Sequence, residues 1–104
     1  MATILWTLGA TQDLRDITAF ISRDSEVYAA TVAGRIVSAV EALNQHPRLG
    51  RVVPEYEDAS IREIIVGSYR VVYRVREEVV GIIAIVHGRR DLMRRLTEEP
   101  WDFG

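Results

Sequence analysis

The stretch Tyr69–Arg76 (YRVVYRVR) alternates in polarity residue by residue. The residues on one side of an extended chain are Tyr69, Val71, Tyr73 and Val75. The residues on the other side are Arg70, Val72, Arg74 and Arg76. Successive side chains of a strand point to opposite faces, so this pattern is typical of an antiparallel strand that is half buried. The stretch therefore predicts a strand with one face in the core and an arginine-rich face in water.

Two more strand-like runs flank this one. Ile61–Val66 comes before it, and Gly67-Ser68 joins the two runs with glycine first, the pattern of a type II′ hairpin turn. Residues 79–86 (VVGIIAIV) follow it and are almost continuously apolar, which is typical of a central strand covered on both faces. The three runs together predict an antiparallel meander.

The N-terminal half predicts one strand and two helices. Residues 3–8 are rich in β-branched and aromatic side chains and favour a strand. Thr11 is the expected N-cap of a first helix that ends near Arg23, and Ser25 is the expected N-cap of a second. The second helix should end near His46, because a proline follows. Its apolar stripe consists of Val32, Ile36, Val40 and Leu43.

The expected element order is therefore β-α-α-β-β-β-α, in a single α+β domain over residues 1–104. The antiparallel meander packs against the N-terminal helical hairpin, and residues 47–59 form a loop. A short C-terminal helix is capped by Asp91 and runs through Leu96. In this arrangement the arginines of the middle strand project from the face that the helices leave uncovered.

Composition narrows the class of protein. The chain has no cysteine, and its N-terminus lacks the basic start of a secretory signal, so we expect a cytoplasmic protein. No apolar run approaches the length of a membrane span. The net charge of −2 argues against a general nucleic-acid binder. Every one of the 13 basic residues is arginine. The stretch from Arg62 to Arg95 contains eight arginines and four acids, which gives it a net charge of 8 − 4 = +4.

This local excess of arginine predicts a surface that binds an anion or a protein partner. The planar guanidinium suits phosphate and carboxylate groups better than an ammonium does. The candidate residues for binding a target or partner are Arg62, Arg70, Arg74, Arg76, His87, Arg89 and Arg90. The alternative is a solubilising face whose arginines pair with Glu63, Glu77 and Glu78. We expect Arg70→Ala and Arg90→Ala to weaken function without unfolding the domain.

The other polar and aromatic candidates have structural alternatives. His87 ends the last strand and could act as a general acid or base, but a lone histidine at a strand end is more often structural. His46 is the only other histidine and lies far away in sequence, so we expect no metal site and no cofactor. Trp101 and Phe103 lie in an acidic tail that could fold onto the domain or dock a partner.

Several stretches together resemble the RelE/ParE superfamily of bacterial type II toxins. They are the loop at residues 47–51 (PRLGR) with Pro54-Glu55, the strand residues 61–63 (IRE) and 69–74 (YRVVYR), and the strand end at residues 87–90 (HGRR). Combined with the β-α-α-β-β-β order, the resemblance covers nearly the whole chain. It implies a toxin that arrests growth and is neutralised by a cognate antitoxin.

The RelE-like branch of this superfamily cuts messenger RNA on the ribosome. Arg70 and Arg90 match two of its arginines, and some relatives use a histidine near His87, so these three residues are the candidates if the chain is a nuclease. The catalytic lysines of that branch have no counterpart here, because Ile61 and Glu63 fall at those positions. The C-terminal tyrosine of that branch falls at about Leu96.

The ParE-like branch is more similar. The resemblance implies a toxin that inhibits DNA gyrase by binding rather than by catalysis, with a ParD-like antitoxin encoded in the adjacent gene. The alternatives are a RelE-like endoribonuclease acting on the ribosome, and a degenerate relative that only forms an antitoxin complex.

Overall fold

The computed structural model describes residues 1–88 and 92–98, the last segment without the side chains of residues 93, 97 and 98. The strands are β1 (Thr3–Trp6), β2 (Arg51–Val52), β3 (Ile61–Val66), β4 (Tyr69–Arg76) and β5 (Val79–His87). The helices are α1 (Leu8–Ser22), α2 (Glu26–Ala42) and α3 (Leu92–Glu98). This order confirms the predicted α+β architecture and adds one short strand, β2.

The five strands form one sheet in the order β1-β5-β4-β3-β2. The strands β3, β4 and β5 make the predicted antiparallel meander, and Gly67 takes the positive φ of 59° that its tight turn requires. The N-terminal strand β1 pairs parallel to β5. This pairing makes β5 a central strand, buried from Val80 to Val86, as its apolar run predicted.

The first helix begins earlier than predicted. Thr7, not Thr11, is its N-cap: the Thr7 hydroxyl oxygen accepts a hydrogen bond of 3.0 Å from the Ala10 amide. Thr7 also continues the sheet, because its own amide and hydroxyl donate to the carbonyl oxygens of Ile82 and Ile83. These contacts with β5 start the helix at Thr7, a residue that the strand predicted at residues 3–8 had included.

The second helix begins at the predicted cap, since the Ser25 hydroxyl oxygen accepts from the Tyr28 amide. It ends at Ala42, a few residues before the predicted end near His46. Helices α1 and α2 cover one face of the sheet, which we call the hairpin face. The core there contains the predicted stripe of α2 together with Val71, Tyr73, Val75, Val80, Ile82 and Ile85.

We call the opposite face of the sheet the second face. It was expected to be uncovered, but it is not. It carries its own apolar core of Val53, Ile61, Val72, Ile83, Ala84, Val86, Leu92 and Leu96. A β-bulge contributes to it: Val72 pairs with Ala84 and Tyr73 with Ile82, so Ile83 is an extra residue of β5. Helix α3 therefore covers part of the surface on which the arginines were expected to lie exposed.

The loop predicted at residues 47–59 contains the two-residue strand β2, which pairs with Glu63 and Arg62 of β3. Within residues 1–88 and 92–98, no helix combines the length and the apolar character needed to cross a membrane. The predicted cap Asp91, the candidates Arg89 and Arg90, and the tail with Trp101 and Phe103 lie outside the described residues.

Candidate functional site

Arg70 does not project into water. Its guanidinium is buried on the second face, where Nε donates to Glu63 Oε1 at 2.5 Å. The two terminal nitrogens donate to the two carboxylate oxygens of Glu55 at 2.7 and 2.8 Å. The expected exposure of Arg70 was wrong, because a buried guanidinium needs carboxylate partners and this fold supplies two. Alternation along β4 indicates the face of Arg70 but not what covers it.

Glu63 is the buried centre of this ion-pair network. Its side chain is 0% exposed and accepts from Arg70 through one oxygen and from Arg51 Nε through the other, at 2.7 Å. The short strand β2 brings Arg51 there, since Arg51 pairs with Glu63 in the sheet. One of the two alternatives paired Glu63 with arginines on a solvated face; Glu63 does pair with arginines, but it is buried. Arg51 and Glu55 were not among the candidate site residues.

Within this network, Glu55 and Arg70 each stabilise the charged form of the other. Hydrogen bonds from Arg70 are the main reason that the pKa of Glu55 is lowered from 4.5 to about 2, against a smaller opposing effect of burial. The same contacts with Glu55 and with Glu63 raise the pKa of Arg70 above its usual value, although burial opposes them. Two guanidiniums then face two carboxylates, and this site carries no net positive charge.

A groove of about 390 Å³ opens beside the network. Its lining includes Arg51, Glu55, Tyr69, Arg70 and His87. His87 is exposed and lies opposite Tyr69 in the sheet, with ring centroids 5.7 Å apart and planes at 84°. Tyr73 is fully buried as predicted, whereas Tyr69 is only half-buried and borders this groove. The structure thus brings two of the candidate residues, Arg70 and His87, into one groove.

Arg62 lies on the other side of the sheet from Arg70. It pairs with Tyr73 and so shares the hairpin face, where its terminal nitrogen donates to the Gly50 carbonyl oxygen at 2.9 Å. Its Nε is buried without a hydrogen-bond partner in the described part of the chain. Arg62 therefore anchors the loop before β2 and lies on a different face of the sheet from Arg70, Arg74 and Arg76.

Tyr73 also holds this loop, which can come close enough only because Gly50 has no side chain. The Gly50 amide donates to the Tyr73 hydroxyl oxygen at 2.8 Å, and burial raises the pKa of that hydroxyl. A Cβ at Gly50 would overlap the carbonyl group of Glu63 and lie 2.7 Å from the Tyr73 oxygen. The glycine is therefore required by close backbone approach, and it places Arg51 against Glu63.

Arg74 and Arg76 lie at the opposite end of β4 from Arg70. Arg74 pairs with Gly81 of β5 and is half-buried, whereas Arg76 pairs with Val79 and is exposed. Only Arg76 is as open to solvent as the sequence predicted for its strand face. The arginines of β4 thus form two separate groups rather than one continuous surface.

An ion pair that sequence reasoning missed joins α1 to α3. Asp13 Oδ2 accepts from Arg95 at 2.9 Å and from the Ile85 amide at 2.9 Å. The carboxylate thereby caps β5 where β1 has ended and holds α3 beside the sheet. Among the described residues, no three histidine, aspartate or glutamate side chains come together as a metal site would require.

Comparison with known proteins gives consistent results. The family profile described as "ParE toxin of type II toxin-antitoxin system, parDE" matches residues 4–92. Toxin RelE2 of Caulobacter vibrioides is 33% identical over 91 residues, covering 86% of this chain and 99% of that protein. The putative toxin Y4kP of Sinorhizobium fredii is 35% identical over 89 residues, covering 84% and 88%.

Solved structures share the fold. The chromosomal ParDE system of P. aeruginosa matches with a TM-score of 0.69 at 23% identity, covering 84% of this chain and 96% of that one. The RelBE2 toxin–antitoxin complex of Mycobacterium tuberculosis matches with a TM-score of 0.61 at 23% identity, covering 83% and 96%. At 23% identity these structures establish the fold alone. The family profile covers most of the chain and establishes the family. This protein is a member of the ParE toxin family of type II toxin–antitoxin systems.

Proposed function

We propose that this toxin arrests growth by binding DNA gyrase, without catalysing a reaction of its own. The observation that carries the proposal is the engagement of Arg70 by Glu55 and Glu63. Arg70 matches an arginine that RelE-like nucleases direct at phosphate. Here two carboxylates already accept a hydrogen bond from each of its three nitrogens and neutralise its charge, so it offers a phosphate little net attraction.

The positions that resemble the rest of the nuclease set also favour a binding toxin. Glu63 stands where that branch has a lysine, and its carboxylate is buried against Arg70. Leu96, at about the place of the nuclease tyrosine, is buried in the core of the second face. Cleavage of a phosphodiester needs preorganised groups that stabilise developing negative charge, and buried carboxylates oppose it.

We also propose a ParD-like antitoxin as the partner. The matched structures from P. aeruginosa and M. tuberculosis are toxin–antitoxin systems. On this chain the helical hairpin exposes large apolar side chains near its tip, namely Phe20, Val27 and Tyr28. An antitoxin arm that folds on binding could cover them, as amphipathic segments cover apolar grooves. A small acidic reading frame adjacent to the gene would support this pairing.

One observation favours the alternative, a RelE-like endoribonuclease that acts on the ribosome. Glu55, Arg70 and His87 line the same groove. A carboxylate and an imidazole beside a guanidinium are the groups that general acid–base cleavage of RNA uses. His87 is therefore the residue whose removal separates the two functions.

The test uses purified wild-type toxin and His87→Ala, assayed on gyrase supercoiling and on messenger RNA bound to ribosomes. Binding to gyrase predicts that both proteins inhibit supercoiling and that neither cuts the message. Arg15→Ala, on the exposed side of α1, is the matched surface control. Message cleavage by the wild type that disappears in His87→Ala, with normal supercoiling, would contradict the gyrase proposal and select the nuclease.

A further inference from the structure

The two carboxylates that hold Arg70 differ in their surroundings. Glu63 lies on β3, its side chain is 0% exposed, and it accepts from Arg70 Nε. Glu55 lies on the loop between β2 and β3, its side chain is 39% exposed, and it accepts from both terminal nitrogens. An arginine binds the phosphate or carboxylate of a ligand with this same two-point geometry. Glu55 therefore takes the position on Arg70 that a ligand anion would take.

The loop fixes Glu55 in this position from both sides. Val53 is fully buried, and its amide donates to the Ile61 carbonyl oxygen at 3.1 Å. Pro54 follows with its restricted φ, and the Tyr56 amide donates back to the Val53 carbonyl oxygen at 3.2 Å. The Tyr56 side chain packs against the core of the second face. An incoming anion would therefore have to displace a carboxylate whose backbone is anchored on either side.

The groove beside the network is otherwise suited to an anion. It measures about 390 Å³, and its lining includes the hydrogen-bond donors Arg51, Ser68 and His87. Of the described residues that line it, only Glu55 is acidic. Arg51 bonds to Glu63 through Nε, and within residues 1–88 and 92–98 its terminal nitrogens bond to no other group. A single carboxylate thus stands among several donors.

We propose that Glu55 is the specificity-determining residue of this groove, a built-in anion that excludes phosphate groups and with them the backbone of RNA or DNA. With Glu55 in place, the two guanidiniums and two carboxylates of the network balance in charge. Without it one positive charge remains, and two donors of Arg70 are released beside those of Arg51. The inference rests on the proposed function, a toxin that binds a protein target and cleaves no RNA, and it names the residue that enforces this choice.

The test measures binding of inorganic phosphate by isothermal titration calorimetry at pH 7, with sodium chloride holding the ionic strength constant. The wild type should remain unsaturated at about 10 mM phosphate, whereas Glu55→Ala should bind with a Kd of about 1 mM or lower, a gain of at least about tenfold. The gain is expected because two charge-assisted donors are freed and one repelling charge is removed. Glu55→Gln removes the charge but keeps one oxygen that can accept from Arg70, so its affinity should be intermediate.

Glu57→Ala is the matched control, because it removes the same charge from the same loop at an exposed residue outside the groove. It should bind phosphate as weakly as the wild type. In the Glu55→Ala background, Arg51→Ala should reverse most of the gain. Arg48→Ala, at an exposed arginine outside the groove, should leave the gain intact. Circular dichroism shows whether each variant is folded before it is titrated.

Equal phosphate affinity of the wild type and folded Glu55→Ala would overturn the proposal. So would an equal gain in Glu57→Ala, which would reduce the effect to overall charge, or a gain that survives Arg51→Ala, which would place the phosphate elsewhere. The assay contains neither gyrase nor ribosomes. A negative result here therefore contradicts the role of Glu55, whereas the supercoiling assay decides the proposed function separately.

Discussion

Replacing Arg70 with alanine tests the ion-pair network most severely. The Arg70 side chain is 9% exposed and the Glu63 side chain 0%, so the substitution leaves a buried carboxylate. Glu63 would keep only Arg51, whose side chain is 63% exposed. Glu55 would lose both hydrogen bonds from the guanidinium.

The cost follows from this burial. Breaking a buried ion pair by removing one partner destabilises a protein by about 3–5 kcal/mol, because the remaining charge is left in a low dielectric. A domain of this size has a free energy of unfolding of about 5–15 kcal/mol, so Arg70→Ala removes a large part of it. By contrast Glu55→Gln, at a carboxylate whose side chain is 39% exposed, should cost about 1 kcal/mol.

The assay is urea denaturation followed by circular dichroism, which gives the free energy of unfolding of each variant. Arg15→Ala on α1 is the exposed control and should change it by less than about 0.5 kcal/mol. The double variant Glu63→Leu/Arg70→Met should be more stable than Arg70→Ala alone, since it leaves no buried charge. A loss in Arg70→Ala no greater than in the control would refute the reasoning.

This result also bears on toxicity. We expected Arg70→Ala to weaken function while the fold survives, and the burial of Arg70 changes that expectation. Any loss of toxicity in this variant has to be compared with its folded fraction before it is assigned to a lost contact.

Two further predictions concern the same region. Gly50→Ala forces a Cβ against the backbone of Glu63 and should lower the free energy of unfolding by about 3 kcal/mol in the same urea assay. Gly34→Ala is the control: its Cβ would meet open space, so it should not destabilise the domain. The lowered pKa of Glu55 adds stability that is fully present above pH 4.5 and is lost as the pH falls towards about 2. In acid titrations this loss should be about 1 kcal/mol, allowing for solvent screening, and Glu55→Gln should abolish it.

The hairpin face could be predicted because its signals are local. Alternation along β4 placed Val71 and Tyr73 in the core, and the continuous apolar run identified β5 as central. Ser25 could be identified as a cap because a serine followed by Glu26 is typical of a helix start, and the bond that a cap makes is to an amide only three residues ahead. Thr7 was missed because its selection over Thr11 depends on β5, more than 70 residues away.

The second face could not be predicted, because its contacts are non-local. Arg70 and Arg76 occupy equivalent positions in the alternating pattern, yet one is buried and the other exposed. The difference lies in Glu55 of a loop, which binds Arg70, and in a strand of two residues whose Arg51 shares Glu63 with Arg70. A two-residue strand has no periodicity by which it could be predicted. The partner of a buried charge need not be its neighbour in the sequence.

The central claim, that the toxin acts by binding gyrase, is tested most directly by examining both DNA and messenger RNA after a short induction of the toxin in cells. Our account predicts protein-linked double-strand breaks in DNA and intact messages on ribosomes, with His87→Ala behaving as the wild type. Cut messages with intact DNA would contradict it, and so would the absence of any growth arrest.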